Sequence, residues 1–282
     1  MSESMASLRR IDRLSDVDGQ YDVLFCDVWG VVHNGEVKSP AAEAALTAAR
    51  NQGVKVVLLT NSPRTSEAVA QQLGVLNFSR SAYDAIVTSG DATRALIKSG
   101  PRKLFHLGPE RDIDLFAGLD VELVQADEAQ SIAATGLFHD ERETPEDYAD
   151  LLAGFAARGL DMVCANPDIV VHRGERLIYC AGALAQSYSA LGGKVFLAGK
   201  PHAPIYELAA RVADAAGKRI LCIGDGLFTD IAGANGFGAD ALLVIRGIHE
   251  VELQDVAMEA GPLTDALRQR GLVAQYAIES LR

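Results

Sequence analysis

Six short apolar runs, at 22–26, 54–59, 84–88, 195–198, 219–223 and 240–245, are nearly continuous rather than alternating. A strand with one wet face alternates polar and apolar residues, so unbroken runs of this length predict parallel strands buried on both faces. Between them lie segments of helical period with visible ends. Ser39-Pro40 opens a helix over 41–51 that Gly53 closes, and Pro204 opens one over 205–216 that Gly217 closes. Proline suits the first turn of a helix, and glycine ends one without strain. Strand, helix, strand recurs, so the fold class expected is α/β, with one doubly wound parallel sheet holding all six runs. With 49% of 282 residues hydrophobic, the chain can bury the core of one large domain or two ordinary ones.

A formal charge of −12 leaves no basic face for nucleic acid or an anionic membrane. An anionic small molecule stays compatible if a metal and a few lysines reverse the local field. Residues 1–20 are polar and mixed in charge, without the apolar centre of a signal peptide, and no run approaches membrane-spanning length. A cytoplasmic protein with no membrane partner is expected. Cys26, Cys164, Cys180 and Cys222 sit in or beside apolar runs with no CxxC spacing, as buried reduced thiols would. The histidines form no HExxH pair, and Gly192-Gly193-Lys194-Val195 lacks the spacing of a P-loop, so neither a zinc hydrolase nor a P-loop NTPase is supported. The segment 263–281 is amphipathic and is expected to pack on the core or on a second subunit, which leaves a homodimer open.

Four of the apolar runs lead into reactive groups. The run 22–26 ends in Asp27, with Gly30 three residues on; 54–59 ends in Thr60-Asn61; 195–198 leads into Gly199-Lys200-Pro201; and 219–223 leads into Gly224-Asp225-Gly226, with Asp230 about one helical turn further. In open α/β sheets ligands bind outside the carboxyl ends of the strands, so these groups are aimed at one crevice. Together they supply a nucleophilic carboxylate, a hydroxyl, an amine and paired acids. Asp27 and Thr60 are separated by room for one βαβ crossover and little else. Thr60 and Lys200 are separated by far more than a connection within a compact domain needs. An inserted domain is therefore expected at 92–194, between core segments 1–91 and 195–282, with strands near 103–107, 120–124, 132–138, 160–164 and 176–180 and helices near 144–157 and 182–191.

In order and spacing, Asp27, Thr60-Asn61-Ser62, Gly199-Lys200-Pro201 and Gly224-Asp225-Gly226-Leu227-Phe228-Thr229-Asp230 resemble the haloacid dehalogenase superfamily. The likeness is to class IIA, the group that includes nucleotide monophosphatases, pyridoxal phosphatases and phosphoglycolate phosphatases, and it covers most of the chain. It implies an α/β cap domain over the crevice and a small phosphorylated metabolite as substrate. It also implies that Asp27 attacks phosphorus to form an aspartyl-phosphate. Mg²⁺ would be held by Asp27, Asp225 and the main-chain carbonyl of Trp29, with Asp230 touching the metal through water or orienting Lys200. Thr60, Asn61 and Ser62 would hold the phosphoryl oxygens while Lys200 offsets accumulating charge. The loops His139-Asp140-Glu141-Arg142 and Asn166-Pro167-Asp168 would face the substrate, with Asn166 and Asp168 as binding residues.

One position departs from that pattern. Phosphatases of this superfamily carry a second aspartate two residues after the nucleophile, and here that residue is Trp29. General acid–base catalysis contributes roughly 10²–10⁴-fold in rate, so weak turnover is expected. His33 is the nearest group that could replace the acid, and a flap residue packed on the cap is the plainer role for it. Aromatic residues at this position occur in haloacid dehalogenases. Those enzymes, however, carry their cap between the first two motifs and lack the Gly-Asp metal motif. The rival from another class is a regulatory protein that binds a phosphorylated metabolite without turning it over.

Overall fold

The structure, a computed structural model, describes residues 8–173 and 176–282. Residues 1–7 of the polar N-terminal segment lie outside the described residues. The chain forms two compact units, one from the described residues of Met1–Thr60, Gln71–Ile86 and Tyr206–Arg282, the other from Asn61–Ala70 and the described residues of Val87–Ile205. In chain order the strands are β1 (Arg9–Arg10), β2 (Val23–Asp27), β3 (Lys55–Thr60), β4 (Ala85–Thr88), β5 (Lys103–Leu107), β6 (Glu122–Leu123), β7 (Ser131–Ala134), β8 (Asp161–Cys164), β9 (Val170–Arg173), β10 (Arg176–Tyr179), β11 (Val195–Leu197), β12 (Ile220–Gly224), β13 (Asp240–Val244) and β14 (Tyr276–Ile278).

The first unit is built on a seven-stranded sheet of order β1-β14-β13-β12-β2-β3-β4, with parallel pairing from β1 through β3. Every residue of β2 is buried, as its unbroken apolar run requires. From β2 the chain winds toward β3 on one side, and from β12 toward β13 on the other, so the topological switch falls between β2 and β12. Register places Cys26 opposite both Ile223 and Leu58, which brings the carboxyl ends of β12, β2 and β3 to one level. The helix Pro40–Asn51 starts where the sequence predicts, with Ser39 Oγ accepting the Ala42 N–H at 3.2 Å. The helix Ala203–Ala213 ends earlier than its pattern suggests, because Asp214 turns left-handed at φ 50° before Gly217 is reached.

The second unit holds a five-stranded sheet of order β11-β8-β7-β5-β6, all parallel, and a two-stranded antiparallel ribbon of β9 and β10. Its core gathers Ile132, Leu152, Phe155, Met162, Leu184 and Tyr188. Tyr188 is fully buried and donates its hydroxyl to the Leu160 carbonyl at 2.6 Å, which removes the penalty of a buried unpaired oxygen. A Cβ on Gly193 would come within 2.3 Å of the Tyr188 ring, so the Gly-Gly-Lys stretch that is no P-loop has a packing reason.

One sequence expectation is corrected. The run 195–198 does not join the sheet of the other five runs: β11 pairs with β8 in the five-stranded sheet. β11 lies at the edge of that sheet and is only partly buried, with Phe196 exposed, so the apolar run marks a strand but neither its neighbour nor burial on both faces. The amphipathic segment 263–281, expected to pack on the core or on a second subunit, forms two elements. Its first part belongs to the helix Ala260–Gln269, which buries Leu263 and Leu267; a turn at Gly271 follows, and β14 then pairs between β13 and β1. Both pieces pack within the first unit.

Candidate active site

Asp27 is the last residue of β2, and Asp225 directly follows β12, so the strand register alone sets the two side by side at the switch point. Asp230 sits on the widened turn Leu227–Ile231, which runs directly into the helix Ala232–Phe237. One oxygen from each of Asp27, Asp225 and Asp230 lies within 4.8 Å of the others, and all three residues are buried. Carboxylates crowded away from water repel one another, and a cation among them removes that cost. The donors are all oxygen, which suits a hard divalent ion. The residues therefore fit the metal that the resemblance implies.

Backbone geometry holds this group. Asp225 Oδ2 accepts the Ile248 N–H at 2.8 Å. A Cβ on Gly30 would stand 2.3 Å from Asp225 Oδ2, and one on Gly247 would stand 2.1 Å from the same atom. Two main-chain segments thus close on one carboxylate, and Gly30 in addition has φ of 85°, a region other residues rarely adopt. Asp230 is set in the same way: its Oδ2 accepts the Gly226 N–H at 3.0 Å, and a Cβ on Gly224 would lie 2.1 Å from its Cγ. Gly30, Gly247 and the Ile248 amide were not singled out as site residues from sequence. Gly30 is close to Asp27 in the chain, whereas nothing local marks Gly247 as a neighbour of Asp225.

The loop after Asp27 turns back on itself. His33 N–H donates to the Val28 carbonyl, and Gly30 N–H donates to the His33 carbonyl at 2.8 Å. His33 is buried, its Nδ1 accepts the Gly35 N–H at 2.9 Å, and burial pushes its imidazole below the ordinary value. Its ring meets Trp29 edge to face, centroids 5.2 Å apart. The indole is 37% exposed and lies against Gly35, where a Cβ would come within 2.7 Å of it. Thr60, at the end of β3, is buried in the same unit.

Asn61, Ser62, Asn166, Asp168 and Lys200 belong to the second unit. Asn61 Oδ1 accepts the Lys200 N–H at 2.7 Å, and Asn61 Nδ2 donates to the Lys200 carbonyl at 3.1 Å and to Asp168 Oδ1 at 2.9 Å. Asn166 Oδ1 in turn accepts the Asp168 N–H at 3.1 Å. Asn61, Asp168 and Asn166, picked from two separate motifs, thus form one hydrogen-bonded bracket around the backbone of the buried Lys200. The carbonyl of Ser62 accepts the Gly90 N–H at 3.1 Å, and a Cβ on Gly90 would sit 2.2 Å from the Pro63 carbonyl, so only a glycine lets the start of the helix Ser89–Ile97 approach so closely. In the loop 139–142, Asp140 is paired with Arg111.

A doubly wound sheet that gathers three buried carboxylates at its switch point places them where open α/β enzymes bind their ligands. A haloacid dehalogenase-like hydrolase family model matches residues 24–122, and a HAD-hydrolase-like model matches residues 197–269. A solved hydrolase of the haloacid dehalogenase-like family from Brucella suis 1330 is 47% identical, covers 96% of this chain and 100% of its own, and superposes with a TM-score of 0.85. The ribonucleotide monophosphatase NagD of Escherichia coli K12 is 26% identical over 81% of this chain and 89% of its own length. A solved glycerol phosphate phosphatase from Mycobacterium tuberculosis, in complex with magnesium, shares 23% identity over 89% of this chain and 75% of its own, with a TM-score of 0.67. The chain belongs to the haloacid dehalogenase superfamily of hydrolases, in its class IIA branch. Among the described residues, no helix is long and apolar enough to cross a membrane.

Proposed function

We propose that this hydrolase is a Mg²⁺-dependent phosphatase of small phosphorylated metabolites, working through an aspartyl-phosphate on Asp27. The observation that carries the reading is the buried grouping of Asp27, Asp225 and Asp230. The phosphatase names of two relatives, and the magnesium in one of them, support it. Asp27, Asp225, Asp230 and the Trp29 carbonyl would hold the ion, which when bound offsets the negative charge of acids and phosphate. Asp27 offers one oxygen to phosphorus. Thr60, the Asn61 amide and Ser62 hold the phosphoryl oxygens, and Lys200 offsets charge as the new bond forms. Asn166 and Asp168 act on Lys200 through Asn61, a positioning task added to the substrate contact expected from sequence. His33 takes the flap role, since its Nδ1 is occupied by the Gly35 amide. Residues 92–194 serve as the cap, and the enzyme works in the cytoplasm, where its four buried cysteines stay reduced.

Phosphate release from a panel of phosphorylated metabolites tests this. Activity should need Mg²⁺, disappear with a chelator, and be absent in Asp27→Asn; turnover surviving in Asp27→Asn overturns the assignment. Trp29 favours a second reading, a metabolite-binding protein without turnover. Saturable binding of a phosphorylated compound with no phosphate release from any member of the panel would establish it.

A further inference from the structure

The loop that returns from Asp27 has no carboxylic acid to offer a departing oxygen. Residues 28–35 contain one titratable side chain, His33. That ring is committed to the loop: its Nδ1 accepts the Gly35 N–H, its edge packs on Trp29, and the residue is buried. Trp29 occupies the place of the acid with an indole that is seated against Gly35 on one side and open on another. An indole N–H can donate a hydrogen bond but does not surrender its proton. The arrangement is a built one, with a glycine and a histidine both shaped to the ring.

We propose that the site selects activated phosphates, meaning acyl, aryl or enol phosphates whose leaving oxygen departs as a stabilised anion, over phosphate esters of alkyl alcohols. This rests on the aspartyl-phosphate reading above. In the first step a carboxylate oxygen of Asp27 bonds to phosphorus as the bond from phosphorus to the leaving oxygen breaks. The electron pair stays on that oxygen, which leaves as a carboxylate, phenolate or enolate and takes no proton from the protein. An alkoxide is far too basic to leave this way, so an alkyl ester needs the acid that Trp29 has replaced. In the second step a water oxygen attacks phosphorus, the bond to Asp27 breaks, Asp27 returns as a carboxylate, and the water proton passes to solvent. No base in the loop takes that proton, so this step is slow and the phosphorylated enzyme accumulates. The open face of Trp29 adds a flat apolar surface that suits a planar leaving group.

The test is kcat/KM of the full chain with Mg²⁺ across acetyl phosphate, p-nitrophenyl phosphate, phenyl phosphate and glycerol phosphate, with rapid-quench kinetics and the intact mass of the quenched protein. Glycerol phosphate should fall about 10²–10⁴-fold below p-nitrophenyl phosphate, the worth of the missing acid. The substrates that react should share one kcat, show a burst of leaving group equal to the enzyme, and leave a phosphoryl group on it that Asp27→Asn does not acquire. Trp29→Asp should raise glycerol phosphate turnover, flatten the series and abolish the burst, whereas Trp29→Phe, which supplies no acid, should keep the series steep. A flat series in the unmodified enzyme, or one flattened by Trp29→Phe, overturns the inference and leaves the phosphatase reading intact. The wild-type and Trp29→Phe series decide the matter even if Trp29→Asp fails to fold. No turnover of any member and no phosphoryl group on Asp27 would overturn the phosphatase reading, and the inference with it.

Discussion

The two parallel sheets of this chain each have a switch point, between β2 and β12 in the first unit and between β5 and β7 in the second, and the residues there handle charge in opposite ways. The first gathers Asp27, Asp225 and Asp230, three buried acids with an oxygen from each within 4.8 Å of the others. The second brings His106 Nε2 to 2.9 Å from Thr135 Oγ1, with Asp112 buried in the same unit. Burial pushes the His106 imidazole down to about 4, and burial pushes the Asp112 carboxyl up. The first crevice therefore brings acids together, whereas burial in the second disfavours the charged forms of His106 and Asp112. Both use glycine to bring backbone onto the polar group: Gly30 and Gly247 on Asp225, and Gly108 on Thr135, where a Cβ would come within 1.9 Å of Oγ1. Topology places groups at a crevice, and the residue identities at the strand ends decide what that crevice can do.

Asp27→Asn should break the first switch point completely. The amide removes both the nucleophile and a metal ligand, so hydrolysis should fall to background while circular dichroism stays unchanged. A smaller but still large effect is expected from Gly247→Ala, which forces Asp225 away from the group. Titration calorimetry should show Mg²⁺ affinity reduced by on the order of tenfold or more, as for loss of a group that orients a ligand. Gly108→Ala sharpens the contrast, because it should lower the melting temperature without changing Mg²⁺ affinity. Equal loss of metal affinity in both variants would erase the distinction drawn between the two crevices.

Next in size is Tyr188→Phe, which strands the buried Leu160 carbonyl and should cost about 1–3 kcal/mol in denaturant unfolding. The smallest effect concerns His106, whose folded value lies below the ordinary 6.5. The unfolded chain then takes up the proton first as pH falls, so stability contributed by the neutral ring is present above about 6.5 and is lost down to about 4. Asp112, raised by burial, acts in the opposite sense. The difference between wild type and His106→Gln is therefore the measurement. The melting temperature of the wild type should drop more steeply than that of the variant between those limits, and parallel curves would remove His106 from the comparison.

How far the fold and site could be read in advance follows from how local each signal is. The helix Pro40–Asn51 is local: Ser39 and Pro40 at its start and Gly53 after its end specify it without neighbours. The strand ends that carry Asp27, Thr60 and Asp225 are nearly as local, since an unbroken apolar run stopping at a polar group is visible in a few residues. The fate of 195–198 was not legible, because its apolar pattern suits either sheet and only pairing with β8 decides it. In 263–281 the apolar spacing of the helix runs on into that of β14, and Gly271 is the turn that divides the two. The bracket of Asn61, Asp168 and Lys200 joins residues far apart in the chain, and no pattern near any of them announces the others.

The sequence by itself determined which groups stand at strand ends, that the apolar runs form strands, and that an indole occupies the position two residues after the candidate nucleophile. These are matters of composition, period and order, which act over a few residues and survive any later arrangement. Tertiary structure alone decided which strands became neighbours, and therefore that Asp225 lies beside Asp27, that Gly247 closes on Asp225 from elsewhere in the chain, and that β11 serves the second sheet. The physical reason is that such placements come from the register of backbone hydrogen bonds and from the absence of a Cβ at points of close approach. Both are properties of two segments meeting, and neither is written in one segment alone.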